Sequence, residues 1–431
     1  MNDARSHPVL VASATFLASP RFVTALTTVT VAMGATSFAI VKIFGWAGYI
    51  GALSALVLLA LASGLARRQH IDWQGLLPIS LIAFLSWSAL SIVWSGYQWA
   101  TLSSLLYQFA FAGLAVYIAL NRDMIQIVRV FGNVLRFVLG TSLVLELVSG
   151  IIVDSPIPLL SIEGNLATGE PVQGLPGDST QLGILALIGG ITFWVELATK
   201  SVERPVAVLS LVGAAFMVSL THSTVITAAA IVVTVAALVL EGIRRVRPAA
   251  RQPLTWALLS LAVVALVVIV IFRTRILDSI QGSDQLANKL GLWRQISTLI
   301  EVNNLQGWGW IGKWRTELPP YVGFPQVRSS DYASAFNSIL DVWFQLGFIG
   351  VVIFCVLIGL ALVRSWHLAV RQPSVVYLWP ALILVCLIST AVTESSILID
   401  FCWLTLIICV VKSASKMSWR LTFARIRPAI E

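Results

Sequence analysis

The stretch FNSILDVWFQLGFIGVVIFCVLIGLALV, residues 336–363, decides the fold class of this chain. A helix that crosses the hydrocarbon core of a bilayer needs about 20 consecutive, mainly apolar residues. This stretch is longer than that, and Asp341 is its only charged residue. Similar apolar runs recur along the sequence, so we predict an all-α, polytopic membrane protein.

The overall composition agrees with this prediction. Hydrophobic residues make up 58% of the 431 residues and charged residues only 11%, whereas soluble domains carry about 25% charged residues. Such a chain cannot cover its surface with polar groups in water. The 16 tryptophans suit both a packed interior and the aromatic belts found at membrane interfaces.

The apolar runs define about twelve predicted spans. Tight hairpins are expected at residues 42–43 and at residue 222. The predicted organisation places spans one to nine in residues 1–272, an extracytoplasmic loop in residues 273–335, and spans ten to twelve with a basic tail in residues 336–431. The predicted spans are 22–41, 44–65, 76–95, 101–120, 131–153, 180–198, 205–221, 223–241, 254–272, 336–363, 376–393 and 400–415.

The distribution of Lys and Arg predicts the orientation. Most of the 28 cationic residues fall in alternate short segments, and short loops rich in Lys and Arg remain on the cytoplasmic side. We therefore expect a multi-pass protein of the cytoplasmic (inner) membrane with both termini in the cytoplasm and the first apolar run as an uncleaved signal anchor. The net charge of +8 follows from these loops, and no basic run is long enough to bind nucleic acid.

The predicted outer loop, residues 273–335, is far longer than any other connection. Apolar residues recur in it at helical spacing from Leu286 to Ile300 and are followed by Gly307-Trp308-Gly309-Trp310, so we expect an amphipathic helix near the membrane surface and then a glycine turn. Its cations could form a solvated surface of mixed charge, or they could bind an anionic headgroup such as a lipid diphosphate. They are Arg273, Arg275, Lys289, Arg294, Lys313, Arg315 and Arg328.

Three polar residues on the predicted outer side are candidates for acid–base chemistry. His222 is the only histidine there; such a residue serves most often as a polar turn residue, but it could also act as a general base. Asn337 lies with Asp341 on one face of span ten, where ordinary helix N-terminal chemistry also places polar groups. Glu394 lies in a very short loop, where it could cap a helix or face a cavity.

Two ionisable residues fall inside the fifth predicted span. Snorkelling toward the interface explains Arg136, which lies close to the predicted end of the span. Glu146 is a second candidate functional group because ionisable residues in a membrane segment are costly. The four cysteines show neither a CxxC motif nor a Cys/His spacing, so the sequence predicts no metal site and no cofactor.

Residues 335–350, AFNSILDVWFQLGFIG, resemble the block that opens the span after the large periplasmic loop in O-antigen ligases and related polysaccharide polymerases. Further short motifs follow in the order seen in that family. They are Trp94-Ser95, the glycine turn Gly174-Leu175-Pro176-Gly177-Asp178-Ser179, Trp293 followed by Gly307-x-Gly309, and Thr393-Glu394-Ser395.

The resemblance implies a membrane glycosyltransferase that works on the outer face of the cytoplasmic membrane. Its donor would be a glycan on a polyprenyl-diphosphate carrier, and its acceptor would be a glycan or a glycolipid. Membrane lipid would surround the protein, and the oligomeric state is left open. We expect His222, Glu394 and Asn337 to be catalytic residues, with His222 and Glu394 in acceptor activation. The residues expected to bind the donor diphosphate are Lys289, Arg294, Arg273, Arg275, Arg315 and Arg328.

Three positions depart from the pattern of the family. Phe336 stands where the family has histidine, His222 where it often has arginine, and Lys289 where it has arginine. Either His222 and a carboxylate such as Asp331 or Glu394 have taken over, or the donor differs, or catalysis is lost. An inactive scaffold for envelope-polysaccharide assembly and a transporter of lipid-linked sugar therefore remain alternatives.

Overall fold

The computed structural model describes residues 15–68, 78–166, 168–247, 284–324 and 334–415, with a few positions between 250 and 260. Within these ranges the chain is helical and contains no β-strand; an isolated bridge pairs Ile157 with Ile162. The described α-helices are α1 Pro20–Ala35, α2 Ser37–Ala66, α3 Ile79–Leu90, α4 Gln98–Asn121, α5 Met124–Leu147, α6 Ser179–Thr199, α7 Arg204–Leu220, α8 Thr224–Arg245, α9 Asp284–Val302, α10 Ser338–Arg371, α11 Leu378–Ala391 and α12 Asp400–Ser415.

Six of the described helices are long and apolar enough to cross a membrane: α2, α4, α5 with its continuation to Ile152, α6, α8 and α10. Three shorter apolar helices, α3, α7 and α11, lie among them. The chain is therefore a multi-pass membrane protein. Most of the predicted span 254–272 lies outside the described residues, and α9 belongs to the predicted outer loop.

The first predicted hairpin, at residues 42–43, lies two residues before a break in the helix at Gly45. Helix α1 ends at Ala35, and α2 continues through Lys42 to a bend at Gly45, where φ is 72°. Thr36 separates the two helices, and its hydroxyl donates a 2.8 Å hydrogen bond to the carbonyl of Ala32. The non-helical backbone of Gly45 separates two helical segments of α2, close to the predicted turn.

Helix α12 forms the centre of the described bundle. It packs against α1, α4, α10 and α11, and nearly all its residues from Asp400 to Ser413 are buried. A helix that is apolar on all sides is expected in such a position. Cys402 and Cys409 are buried here and Cys386 in α11, whereas Cys355 is exposed on α10.

Helix α10 bends at Gly347, which has φ 69° and interrupts the helical hydrogen bonds. The backbone N–H of Trp308 donates to the carbonyl of Phe344 at 3.0 Å, and that of Gly309 donates to Gln345 at 2.9 Å. The indole of Trp87 donates to the carbonyl of Leu346 at 2.9 Å. The loop that follows α9 thus satisfies carbonyls that the bend releases.

Two glycines allow the loop and α10 to approach this closely. A Cβ on Gly307, whose φ is 69°, would lie 2.5 Å from the carbonyl carbon of Gln345, and one on Gly347 would overlap the carbonyl of Leu305. The Gln345 side chain adds further bonds, since its Oε1 accepts from Ile311 N–H at 2.7 Å. The motif Gly307-x-Gly309 is therefore a docking contact with the bent span.

We predict that Gly347→Ala destabilises the protein, whereas Gly359→Ala in the same helix does not. A side chain at position 347 would need an unfavourable positive φ, at a cost of about 1–3 kcal/mol, and would also collide with Leu305. A Cβ at position 359 meets nothing within 4 Å. Thermal unfolding of both purified variants in detergent measures the difference; equal melting temperatures would contradict the assignment of Gly347.

Candidate functional site

Four segments that are distant in sequence meet at one end of the helices. Lys289 on α9 donates a 2.9 Å hydrogen bond to Oε1 of Glu394 and a 3.2 Å bond to the carbonyl of Thr393. Its ammonium also lies 4.9 Å from the centre of the Phe336 ring. Asp178 interacts electrostatically with both Lys289 and Glu394. We call Asp178, Lys289, Phe336 and Glu394 the Lys289 cluster.

The glycine turn before α6 positions Asp178. Glu146, which is fully buried, accepts hydrogen bonds from the N–H groups of Gln173 at 3.0 Å and Gly174 at 3.1 Å. Asp178 then caps α6 by accepting from the N–H of Gln181 at 2.9 Å. Glu146 therefore acts on the turn that carries Asp178 and makes no described contact with Lys289.

The start of α10 joins α9 to the loop that carries Glu394. The indole of Trp293 donates to the carbonyl of Ala335 at 2.7 Å, and Ser338 donates to the carbonyl of Glu394 at 2.7 Å. Between them Phe336 has φ 48°. The three motifs from α9, α10 and the loop after α11 thus form one connected unit.

The environment of Glu394 brings the pKa of its carboxyl group close to neutral pH. Its side chain is 10% exposed and that of Lys289 is 26% exposed. Burial raises the pKa of Glu394 to about 7, with Lys289 opposing the shift and Asp178 adding to it. Burial also raises the pKa of Asp178, against the effects of the Gln181 N–H and Lys289. Glu394 can therefore both hold and release a proton in the physiological range.

The predicted donor-binding cations do not converge in the described part of the chain. Arg294 is exposed on α9, since a separation of five residues turns a helix by about 140° from Lys289. Arg315 is exposed and donates to the hydroxyl of Ser103 at 2.7 Å. Arg273, Arg275 and Arg328 lie outside the described residues.

Two of the predicted catalytic residues make no described hydrogen bond to Lys289 or Glu394. His222 is exposed in the turn between α7 and α8, with φ 46°, and no hydrogen bond or ion pair links its side chain to the described cluster. Asn337 caps α10, because its Oδ1 accepts from the N–H groups of Ile339 at 3.0 Å and Leu340 at 3.1 Å.

Sequence reasoning missed Asp178 and misread Arg136. Asp178 ends a glycine turn just before an apolar span, which is the signal that could have found it. Arg136 lies near the middle of α5, which begins at Met124, and it pairs with the buried Glu196 and with Ser210. The snorkelling interpretation is therefore wrong.

Within the described ranges, no group of three His, Cys, Asp or Glu residues is arranged to hold a metal ion.

Residues 205–355 match the family model for O-antigen ligase. The matched segment runs from α7 through the large loop and into α10, and so contains Lys289, Phe336 and the docking glycines. The resemblance of the chain to the O-antigen ligase family is thereby confirmed, and it supports a membrane glycan ligase or polymerase. No curated protein matches the sequence.

We predict that Asn337→Ala lowers the stability of the protein by about 1 kcal/mol, the usual cost of losing an N-cap. Asn337→Ser keeps a capping oxygen but no amide, so it should preserve both stability and activity. Thermal unfolding and an activity assay of the two variants test this role. Loss of activity in a normally stable Asn337→Ser variant would instead assign Asn337 to the chemistry.

Proposed function

We propose that this protein is a glycosyltransferase that moves a glycan from a polyprenyl-diphosphate carrier to an acceptor hydroxyl on the outer face of the cytoplasmic membrane. The acceptor is a glycan or a glycolipid. The partly buried pair of Lys289 and Glu394 is the observation that carries this proposal, because it combines a cation and a carboxyl group of near-neutral pKa beside the start of α10.

Lys289 stabilises the leaving group. In the reaction the acceptor oxygen bonds to the anomeric carbon while the bond from that carbon to the diphosphate oxygen breaks. The carrier diphosphate leaves with an additional negative charge, which a nearby cation stabilises. An ammonium group has three N–H donors, and Glu394 and Thr393 use two of them, so a phosphate oxygen can take the third.

Glu394 accepts the proton of the acceptor hydroxyl. A general base works best when its pKa lies near the operating pH, and burial brings the pKa of Glu394 to about 7. As the diphosphate attracts Lys289, the carboxylate loses part of its ionic partner and becomes more basic. Donor binding and acceptor activation are thus coupled through one ion pair.

Phe336 takes part by holding the cation and not by moving a proton. Its ring has no titratable group, and its face lies 4.9 Å from the Lys289 ammonium. A cation–π contact of this kind contributes about 0.5–2 kcal/mol. The ring therefore fixes the position of Lys289 when its partner changes from carboxylate to phosphate.

Reconstitution tests the function. The purified protein is mixed in detergent with a polyprenyl-diphosphate-linked glycan and an acceptor glycan, and free carrier and lengthened acceptor are measured. We expect both products in equal amounts. Movement of donor across vesicles without release of carrier would support a transporter, and neither activity a scaffold; either result would overturn the proposal.

We predict that Lys289→Ala lowers the rate of transfer at least 100-fold, since loss of one charge-stabilising donor costs about 10²–10³ in rate. Arg294→Ala is the matched control on the same helix and should change the rate less than about threefold, as its charge is exposed. Melting temperatures of both variants check their folding. Equal losses of transfer would contradict the separate role of Lys289.

The rate of transfer should depend on pH through Glu394. The ionised fraction of this carboxyl in the donor-free protein increases as the pH rises through about 7, so at low donor concentration the rate should climb about tenfold per pH unit below 7 and level off above it. Glu394→Gln should lower the rate by about 10²–10⁴ and abolish this rise. A Glu394→Gln variant that keeps the same pH profile would remove Glu394 from the role of base.

A further inference from the structure

A cavity of about 530 Å³ opens between the turn after α3, the first residues of α4 and the loop after α9. We call it the Trp99 cavity. It shares no lining residue with the Lys289 cluster, so it is a separate place on the protein. Its lining includes Ser95, Tyr97, Gln98, Trp99, Arg315 and Glu317.

Hydrogen bonds fix one wall of the Trp99 cavity. The hydroxyl of Ser95 lies 2.7 Å from that of Thr101 and accepts from the N–H of Tyr97 at 3.2 Å. The hydroxyl of Tyr97 lies 3.3 Å from that of Tyr321. A Cβ on Gly309 would come within 2.6 Å of the Cβ of Ser95, so this turn packs tightly on the docked loop. The wall is therefore formed before any ligand arrives, which lowers the cost of binding.

The Trp99 cavity and the Lys289 cluster are built on the same hydrophobic core. Ala100, which lines the cavity, belongs to one core cluster with Leu292 and Ile296. These two residues lie on α9, the helix that carries the cation of the Lys289 cluster. The indole of Trp314, one residue before the arginine of the cavity, donates to Oδ1 of Asp341 in the first turn of α10 at 2.8 Å. Both sites therefore lie at the same end of the helices.

The lining combines an aromatic ring with polar groups of every hydrogen-bonding kind. The side chain of Trp99 is 84% exposed, and Gln98, Arg315 and Glu317 are exposed as well. A guanidinium only donates, a carboxylate only accepts, and an amide does both. Of the five N–H groups of Arg315, one bonds to the hydroxyl of Ser103 at 2.7 Å. The described lining carries one positive and one negative charge, so it favours a ligand without net charge.

We propose that the Trp99 cavity binds an uncharged stretch of the glycan substrate, at a distance from the bond that is made. The proposal rests on the proposed function and names the part of the substrate that this cavity recognises. A sugar ring has a face of C–H groups, which suits the ring of Trp99. Its hydroxyls both donate and accept, which suits Gln98, Arg315 and Glu317. The volume lies within the range of about 300–1,000 Å³ for ligand sites and has room for a short oligosaccharide.

Calorimetric titration of the purified full chain tests the proposal, in a detergent without a sugar headgroup. The probes are maltotriose, cellotriose and N-acetylchitotriose, and we expect at least one of them to bind. Trp99→Ala should weaken this binding about tenfold, because the contact with the sugar face is lost. Glu317→Gln should weaken it about fivefold, because a hydrogen bond to a charged acceptor is stronger than one to a neutral acceptor.

Trp46→Ala is the matched control, since it removes a tryptophan that is 53% exposed on α2 and does not line the cavity. It should leave the affinity unchanged. The melting temperature of Trp99→Ala should equal that of the unchanged protein because the ring is so exposed. Binding of none of the three probes, or an unchanged affinity in Trp99→Ala or Glu317→Gln, would overturn the proposal. In the case of Trp99 it would leave this residue as an interfacial anchor.

The reconstituted transfer reaction distinguishes the two glycans that share this chemistry. Trp99→Ala should raise the KM for one of them about tenfold and change kcat less than about threefold, because the contact is remote from the reacting bond. A higher KM for the acceptor identifies the acceptor glycan, and a higher KM for the donor identifies the glycan on the carrier. Unchanged KM values for both would contradict the proposal.

The trisaccharide titration contains no polyprenyl donor and does not depend on Lys289 or Glu394. A chain that transfers glycan but binds no trisaccharide would refute the cavity assignment alone. A chain that binds a trisaccharide in a Trp99-dependent manner but transfers nothing would refute the proposed function alone.

Discussion

The bend of α10 leaves backbone carbonyls without their helical hydrogen-bond partners. The loop after α9 docks against these carbonyls. Unpaired carbonyls are costly in a membrane protein because no water is available to satisfy them. Trp308 and Gly309 supply the missing N–H donors at 3.0 and 2.9 Å, and Trp87 supplies a third. The span and the loop are therefore one structural unit, and neither can take its observed conformation without the other.

The geometry of the Lys289 cluster depends on that unit. Helix α9 precedes the docked glycines and is joined to the start of α10 through the indole of Trp293, so Lys289 arrives beside Phe336 and Glu394. The resulting arrangement has a phenyl ring, Phe336, beside the cation and a buried carboxyl group within hydrogen-bond distance of it. In the proposed reaction the proton acceptor therefore lies in the loop before α12, since the ring of Phe336 at the start of α10 cannot take a proton.

The sequence predicted the helical class, and it singled out Lys289 and Glu394 as separate candidates. It could not predict that they pair, because 105 residues separate them and only the packing of α9, α10 and α11 brings them together. Arg294 was grouped with Lys289 for its charge alone, although their helical spacing already points them in different directions. The turn predicted at residues 42–43 lies beside the non-helical backbone of Gly45, because a glycine can adopt the positive φ of such a break.

The four cysteines described in the fold have a practical consequence. Cys386, Cys402 and Cys409 are sealed within the bundle, and Cys355 emerges from the middle of an apolar span, where hydrocarbon suppresses formation of the reactive thiolate. Hydrophilic maleimides therefore find no native target among these residues. A thiol introduced at the exposed His222 turn would react alone, and its labelling in intact cells would reveal which face of the bilayer that turn occupies.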